Sequence, residues 1–269
     1  MKKLIYLSLL SVFLIGCKSY IQVFETKTTN TISEGEYYVY ENDTIKITYA
    51  FWTKKGIVSF AVYNKLNVPI YIDWKKSSYI DNSNKLNYWV DEEISKSALY
   101  YGSYFYDGPL LKPGFTVSES IGSVSASKVK IERITFIPPR SNYYRSQFYL
   151  LPLDYYKFDL DIPPKEVVRN GKKKKKTKLY IDKFTKEDSP LVFRNFIAFS
   201  LTEDFNSEFY VDNEFYLSKM TEMDYRHFKY LGKNKEGRQI YLRPYKKQTS
   251  FYLNVPQGKS IKSRNQFFN

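Results

Sequence analysis

Ile45-Lys46-Ile47-Thr48-Tyr49-Ala50-Phe51, followed by Lys54-Lys55-Gly56 and then Val58-Ser59-Phe60-Ala61-Val62, is the stretch whose pattern decides the fold. Successive side chains on a strand point to opposite faces, so alternation puts Ile45, Ile47, Tyr49 and Phe51 on one face. Val58, Phe60 and Val62 repeat the pattern after the Lys-Lys-Gly turn, and the pair reads as a β-hairpin with one buried face. Moving outward, Asn64-Lys65-Leu66-Asn67-Val68-Pro69 is a second turn, after which Ile70, Ile72 and Trp74 alternate with Tyr71 and Asp73. Further strands are predicted at 85–90, 115–118, 129–137, 179–182, 193–202 and 208–217. Residues 239–243 and 250–255 read as a late hairpin.

Composition points the same way. The chain holds 27 Tyr and 20 Phe, and aromatic residues make up 19% of it, a bias that suits a pleated, half-buried surface. Many short strands separated by turn signals, with few helices, predict an all-β sandwich or barrel. One short helix is predicted over 222–231, with Thr221 as its cap, Gly232 as its stop, and Met220, Met223, His227, Phe228 and Leu231 on one side. The organisation read from the sequence is a signal segment at 1–16, a flexible polar tether at 17–35 and a sandwich at 36–160. A basic loop at 161–178, additional strands and the helix at 179–255, and a basic tail at 256–269 follow.

The start of the chain carries its own message. Met1-Lys2-Lys3 is basic, and Leu4 to Ile15 is apolar apart from Ser8 and Ser11. As a helix that run is about 18 Å long, too short for a hydrocarbon core of about 30 Å, so it reads as an export signal. It ends in Leu14-Ile15-Gly16-Cys17, which resembles the lipobox of bacterial lipoproteins. The resemblance implies cleavage between Gly16 and Cys17, with diacylglycerol on the Cys17 thiol and acylation of the new amino terminus. A diacylglyceryl group alone supplies the two chains that stable anchoring requires. Cys17 is the single cysteine, so its acylation leaves the mature chain without disulfides, thiolate metal sites or a cysteine nucleophile. Losing Lys2 and Lys3 lowers the formal charge from +14 to +12, a field that favours polyanions.

Tyr40-Glu41-Asn42-Asp43-Thr44, Tyr63 to Trp74 and Phe136-Ile137-Pro138-Pro139-Arg140-Ser141 are similar to segments of uncharacterised envelope lipoproteins of Bacteroidota. That resemblance implies an immunoglobulin-like β-sandwich in the cell envelope and carries no active site to transfer. Lys18, not aspartate, follows the cysteine, and no acid cluster lies close behind it. This pattern favours the outer membrane facing the periplasm over the cell surface.

Candidates for chemistry are few. His227 is the only histidine, and its place beside Phe228 on an apolar side favours a packing or surface role over catalysis or zinc binding. Asp91-Glu92-Glu93 and Glu203-Asp204 are adjacent acids, the residue type a glycoside hydrolase needs, but neighbours on a strand face opposite ways. Glu203, Asp204, Asn206, Glu208, Asp212 and Asn213 make an oxygen-rich stretch without the spacing of a calcium hand. Gly102 and Gly108 lack the spacing of a phosphate loop.

Two segments stand out as binding surfaces. Lys172, Lys173, Lys174, Lys175 and Lys176 repel one another and belong on an exposed tip, where they would either be a solvated run that keeps an edge strand from pairing or contact an anionic surface. Leu99 to Gly108 is tyrosine-rich, and Tyr101, Tyr104 and Tyr106 would either cover the open end of the sandwich or form a further strand, or stack on sugar rings or a protein partner. The sequence therefore predicts a non-catalytic binding or structural module, held to the membrane by lipid and without a cofactor or metal. Its expected partners are anionic envelope polymers or another envelope protein, not nucleic acid. A glycan- or polyanion-binding module and a carboxylate glycosidase are the alternatives.

Overall fold

The computed structural model describes residues 19–89, 132–151, 157–158 and 160–255, with the backbone of 94–95 and 128–129. Residues Gly16, Cys17, Asp91, Glu92, Glu93, Tyr101, Gly102, Tyr104, Tyr106 and Gly108 lie outside that set. So do the signal segment, the strand predicted at 115–118 and the tail at 256–269.

Regular structure in the described chain is almost entirely strand, with a single helical turn. It runs through β1 (Tyr20–Thr28), β2 (Ile32–Glu34), β3 (Tyr37–Glu41), β4 (Ile45–Ala50) and β5 (Ile57–Asn64). The long β6 (Ile70–Asp81) turns into β7 (Asn84–Asn87), and β8 (Ile94–Ser95) pairs with β9 (Lys128–Val129). Next come β10 (Ile134–Ile137), β11 (Asn142–Tyr149), β12 (Lys165–Val168), β13 (Lys176–Lys183) and β14 (Val192–Ser200). β15 (Glu208–Asp224) leads into one helical turn, α1 (Tyr225–Phe228), then β16 (Tyr230–Lys233), β17 (Gln239–Leu242) and β18 (Ser250–Val255).

Two antiparallel sheets carry the body. The smaller is ordered β11-β5-β4-β3-β2 and contains the β4–β5 hairpin in its predicted alternation. The larger has nine strands along the path β10-β6-β14-β15-β1-β18, with β7 added to β6 and the β12–β13 hairpin added to β15. Their inner faces meet in one aromatic core. Phe215 of β15 lies edge-on to Tyr49 of β4, ring centroids 4.9 Å apart, and to Phe51 at 5.2 Å. Phe193 of β14 stacks on Phe215 at 5.3 Å. The sheets also join at one edge, where the Lys55 N–H donates to the Tyr252 carbonyl at 2.7 Å and the Tyr252 N–H donates to Thr53 at 3.2 Å. Gly56 makes that approach possible: its φ is +67°, and a Cβ there would lie 2.8 Å from Leu150 and 2.9 Å from Phe251.

A buried polar chain bridges the sheets. Tyr88 Oη donates to Asn195 Oδ1 at 2.6 Å, Asn195 Nδ2 donates to Tyr49 Oη at 3.1 Å, and Tyr49 Oη donates to Asn213 Oδ1 at 2.8 Å. Burial pushes the Tyr49 and Tyr88 hydroxyls far up, so both remain donors. Nearby, the Arg145 guanidinium stacks over Trp74 at 3.8 Å and donates to Gln147 and to the Tyr88 carbonyl.

Several expectations need correction. The tether predicted at 17–35 is largely strand: β1 pairs with β15 on one side and β18 on the other, with Ile21, Gln22, Val23 and Phe24 buried. Its polar residues do not keep it in solvent because they find partners, Gln22 donating to Glu222 at 2.8 Å and to the Phe158 carbonyl at 2.7 Å. Nor are 179–255 additional strands on a completed sandwich. β14 and β15 lie inside the larger sheet and bury Phe193, Phe199 and Phe215. The loop expected at 161–178 contains β12, and the strands at 239–242 and 250–255 are not a hairpin, since β17 pairs with β16 and β18 with β1.

The predicted ten-residue helix shrinks to α1. Met220 and Met223 belong to β15, whose backbone there is bonded on both edges, to β1 and β13, and those ladders outcompete helix formation. Asp224 caps α1 in place of Thr221, its carboxylate accepting from the Arg226 N–H at 2.7 Å.

Candidate functional site

The lysine run sits where like charges are least crowded, at the tip of the β12–β13 hairpin. Val168 pairs with Lys176, the Arg169 N–H donates to the Lys175 carbonyl at 2.7 Å, and the Lys172 N–H donates back to Arg169 at 3.1 Å. Gly171 turns the chain with φ at +71°. Lys172, Lys173, Lys174, Lys175 and Lys176 are all exposed. Lys176 reaches Glu166 at 3.2 Å, a pair solvated on both sides and of little weight. Among the described residues, Lys172, Lys173, Lys174 and Lys175 pair with no carboxylate.

The hairpin is fastened at its neck. Asn170 donates twice to His227, from its backbone N–H to Nδ1 at 3.1 Å and from its side-chain amide to the carbonyl at 2.9 Å. Gly171 packs flat on Tyr230, where a Cβ would come within 2.5 Å of Cδ2. His227 is buried, with Nδ1 accepting from Asn170 and Nε2 2.7 Å from the Tyr245 hydroxyl, so it positions this loop. Burial lowers its pKa, Arg169 adds to the effect, and Asp224 opposes it.

The chain passes α1 on the same edge of the body. The Tyr225 N–H donates to the Ser19 carbonyl at 2.9 Å, and Tyr20 opens β1 opposite Asp224. Met223 is flanked by Ile21 on one side and Leu179 on the other, so these residues of β1 and β13 lie at the same level of the sheet. Beyond α1, the β16–β17 hairpin exposes Leu231 and Tyr241, which face each other in register. Lys229 lies over the Tyr241 ring at 4.3 Å. This second hairpin was not legible as a surface feature, since Leu231 reads as the end of a helix.

No protein-family model, curated protein or solved structure matches the chain.

Several carboxylates among the described residues serve partners elsewhere in the body. Glu25 is bound by Lys219 at 2.6 Å and Lys247 at 2.9 Å, which outweigh burial and hold its pKa down. Asp73 is gripped by Arg133 at 2.8 Å, and Glu222 receives Gln22. The oxygen-rich stretch does not converge on a cation. Asp204 accepts from the Asn206 N–H, Glu208 pairs with Lys76, Asp212 with Arg194 at 2.8 Å, and Asn213 faces the core under Tyr49. Among the described residues no group of three or more His, Cys, Asp or Glu is arranged to hold a metal, and no helix is long and apolar enough to cross a membrane.

Proposed function

We propose that this chain is a bacterial envelope lipoprotein, tethered through lipid on Cys17, whose all-β body acts as a binding or structural module rather than an enzyme. The observation that carries the reading is the position of β1. Cys17 precedes Ser19 by two residues, and Ser19 is already bonded to Tyr225 at the edge of the larger sheet. Two residues span at most about 7 Å, so lipid on Cys17 would hold the folded body against the leaflet. A signal segment that is apolar yet too short to span a bilayer, ending in Gly16-Cys17, supports the same reading.

The non-catalytic part rests on how the titratable groups are used. His227 is engaged at both ring nitrogens, and Glu25, Asp73, Glu208 and Asp212 each serve a cation.

Metabolic labelling with a palmitate analogue tests the anchor. The native chain should carry label and enter the detergent phase on phase separation, while Cys17→Ser should do neither. An unlabelled native chain, or a labelled serine variant, contradicts the proposal.

A further inference from the structure

We infer that the lysine hairpin, together with the adjoining β16–β17 hairpin, is a docking surface for anionic lipid headgroups of the membrane that holds the anchor. The inference rests on the lipoprotein reading and adds an orientation to it. Three observations carry it.

The first is level. Ile21 and Leu179 flank Met223 on opposite sides, two strand spacings or about 10 Å apart. From Ile21 the chain runs back four residues to Cys17, and from Leu179 it runs back three residues to Lys176. At about 3.3 Å per residue, Cys17 lies at most roughly 13 Å from Ile21, and Lys176 roughly 10 Å from Leu179. Lys173 and Lys174, at the hairpin tip, follow. The chain toward Cys17 and the strand from the lysine hairpin thus both meet the same end of the same sheet, at Ser19 and at Leu179.

The second is charge. Lys172, Lys173, Lys174 and Lys175 pair with no carboxylate among the described residues, and the turn that carries them is fastened to His227 through Asn170. A field from anionic lipid decays over about 10 Å at 0.1 M salt. A body tied within that distance by Cys17 keeps these lysines inside the field, where each is attracted without a built pocket.

The third is the neighbouring surface. The β16–β17 hairpin starts at Tyr230, on which Gly171 rests, and it exposes Leu231 and Tyr241 with Lys229 over the ring. An apolar and aromatic pair edged by basic residues suits the headgroup boundary, where a tyrosine ring keeps its hydroxyl in water and its body in lipid.

The experiment is amine footprinting of the native, lipidated protein reconstituted in neutral phosphatidylcholine vesicles or in vesicles that also contain phosphatidylglycerol. Intact mass reports lipid on Cys17 in the same sample. Labelling of Lys172–Lys176 should fall about fivefold or more on the anionic vesicles, return in 1 M salt, and be insensitive to composition in K173E/K174E. Lipid on Cys17 with equal labelling on both vesicles overturns the inference and leaves the anchor standing. Equal protection in K173E/K174E also overturns it, as does protection on neutral vesicles by a soluble acidic polysaccharide, which would make the surface a polymer site. Absence of lipid from Cys17 overturns anchor and inference together.

Discussion

The Asn170 N–H donates to Nδ1 of His227, and the remaining proton of that neutral ring lies on Nε2, 2.7 Å from Tyr245 Oη. One buried imidazole therefore joins the neck of the lysine hairpin to α1 and to the segment before β18.

This joint makes stability depend on pH in a defined direction. Burial lowers the His227 pKa below its ordinary 6.5, reinforced by Arg169 and opposed by Asp224. The unfolded chain then binds more protons than the folded one, so the contribution is complete above 6.5 and is lost as pH falls through that value toward the folded pKa. Glu25 and Asp73, whose pKa values are held below 4.5 and 3.8, lose their contributions only in more acid solution. Urea midpoints should decline between about pH 7 and pH 5 for the native chain and stay flat over that interval for His227→Gln. The same slope in both proteins would show that His227 is not the group responsible.

Gly171→Ala tests the seat of the hairpin. Alanine at φ +71° is strained, and its Cβ would meet Tyr230. The backbone part alone should cost about 1–2 kcal/mol in denaturant unfolding, with the steric part added to it. Tyr230→Ala in the same chain should relieve the clash and leave the backbone part. A neutral Gly171→Ala contradicts the packing of Gly171 on Tyr230.

Val23→Pro separates a strand from a tether. Val23 lies opposite Thr221 on one side and Tyr252 on the other, and proline removes a ladder donor in a position bonded on both edges. The lost ladder bond leaves a buried backbone acceptor unsatisfied, a cost of about 1–3 kcal/mol, seen as a lowered midpoint or loss of the cooperative near-ultraviolet circular dichroism transition. Full retention of that transition would return 20–28 to the status of a tether.

The contrast between β4 and β1 shows what the sequence made legible. Ile45, Ile47 and Tyr49 alternate with smaller or polar residues and pair with a strand a few positions away, so local pattern alone identifies the β4–β5 hairpin. The exposed tip for Lys172 to Lys176 was legible for a similar reason, since five adjacent cations have no buried arrangement. β1 was hidden because its information is distant. Gln22 is acceptable inside the sheet only because Glu222, 200 positions away, and the Phe158 backbone complete its hydrogen bonds. The same non-local pairing extends β15 through Met220 and Met223, whose spacing otherwise fits a helix face. For His227 the sequence left a packing or a surface role open, because its bond to Asn170 depends on a fold-level meeting of two turns.

Tyr49→Phe probes the polar chain through the core. Removing the hydroxyl leaves Asn195 Nδ2 without its acceptor and Asn213 Oδ1 without its donor at positions with no exposure. The expected loss is about 1–3 kcal/mol, larger than a surface Tyr→Phe change, read from urea unfolding. A change below about 0.5 kcal/mol would mean that the chain does not couple the sheets.

The central claim is the anchor at Cys17, and the mass of the protein purified from membranes tests it most directly. The account predicts a mature chain beginning at Cys17, with the mass of residues 17–269 plus a diacylglyceryl group and, where the amino terminus is acylated, one further acyl chain. A chain that begins elsewhere, or one that carries Cys17 as an unmodified thiol, would contradict it.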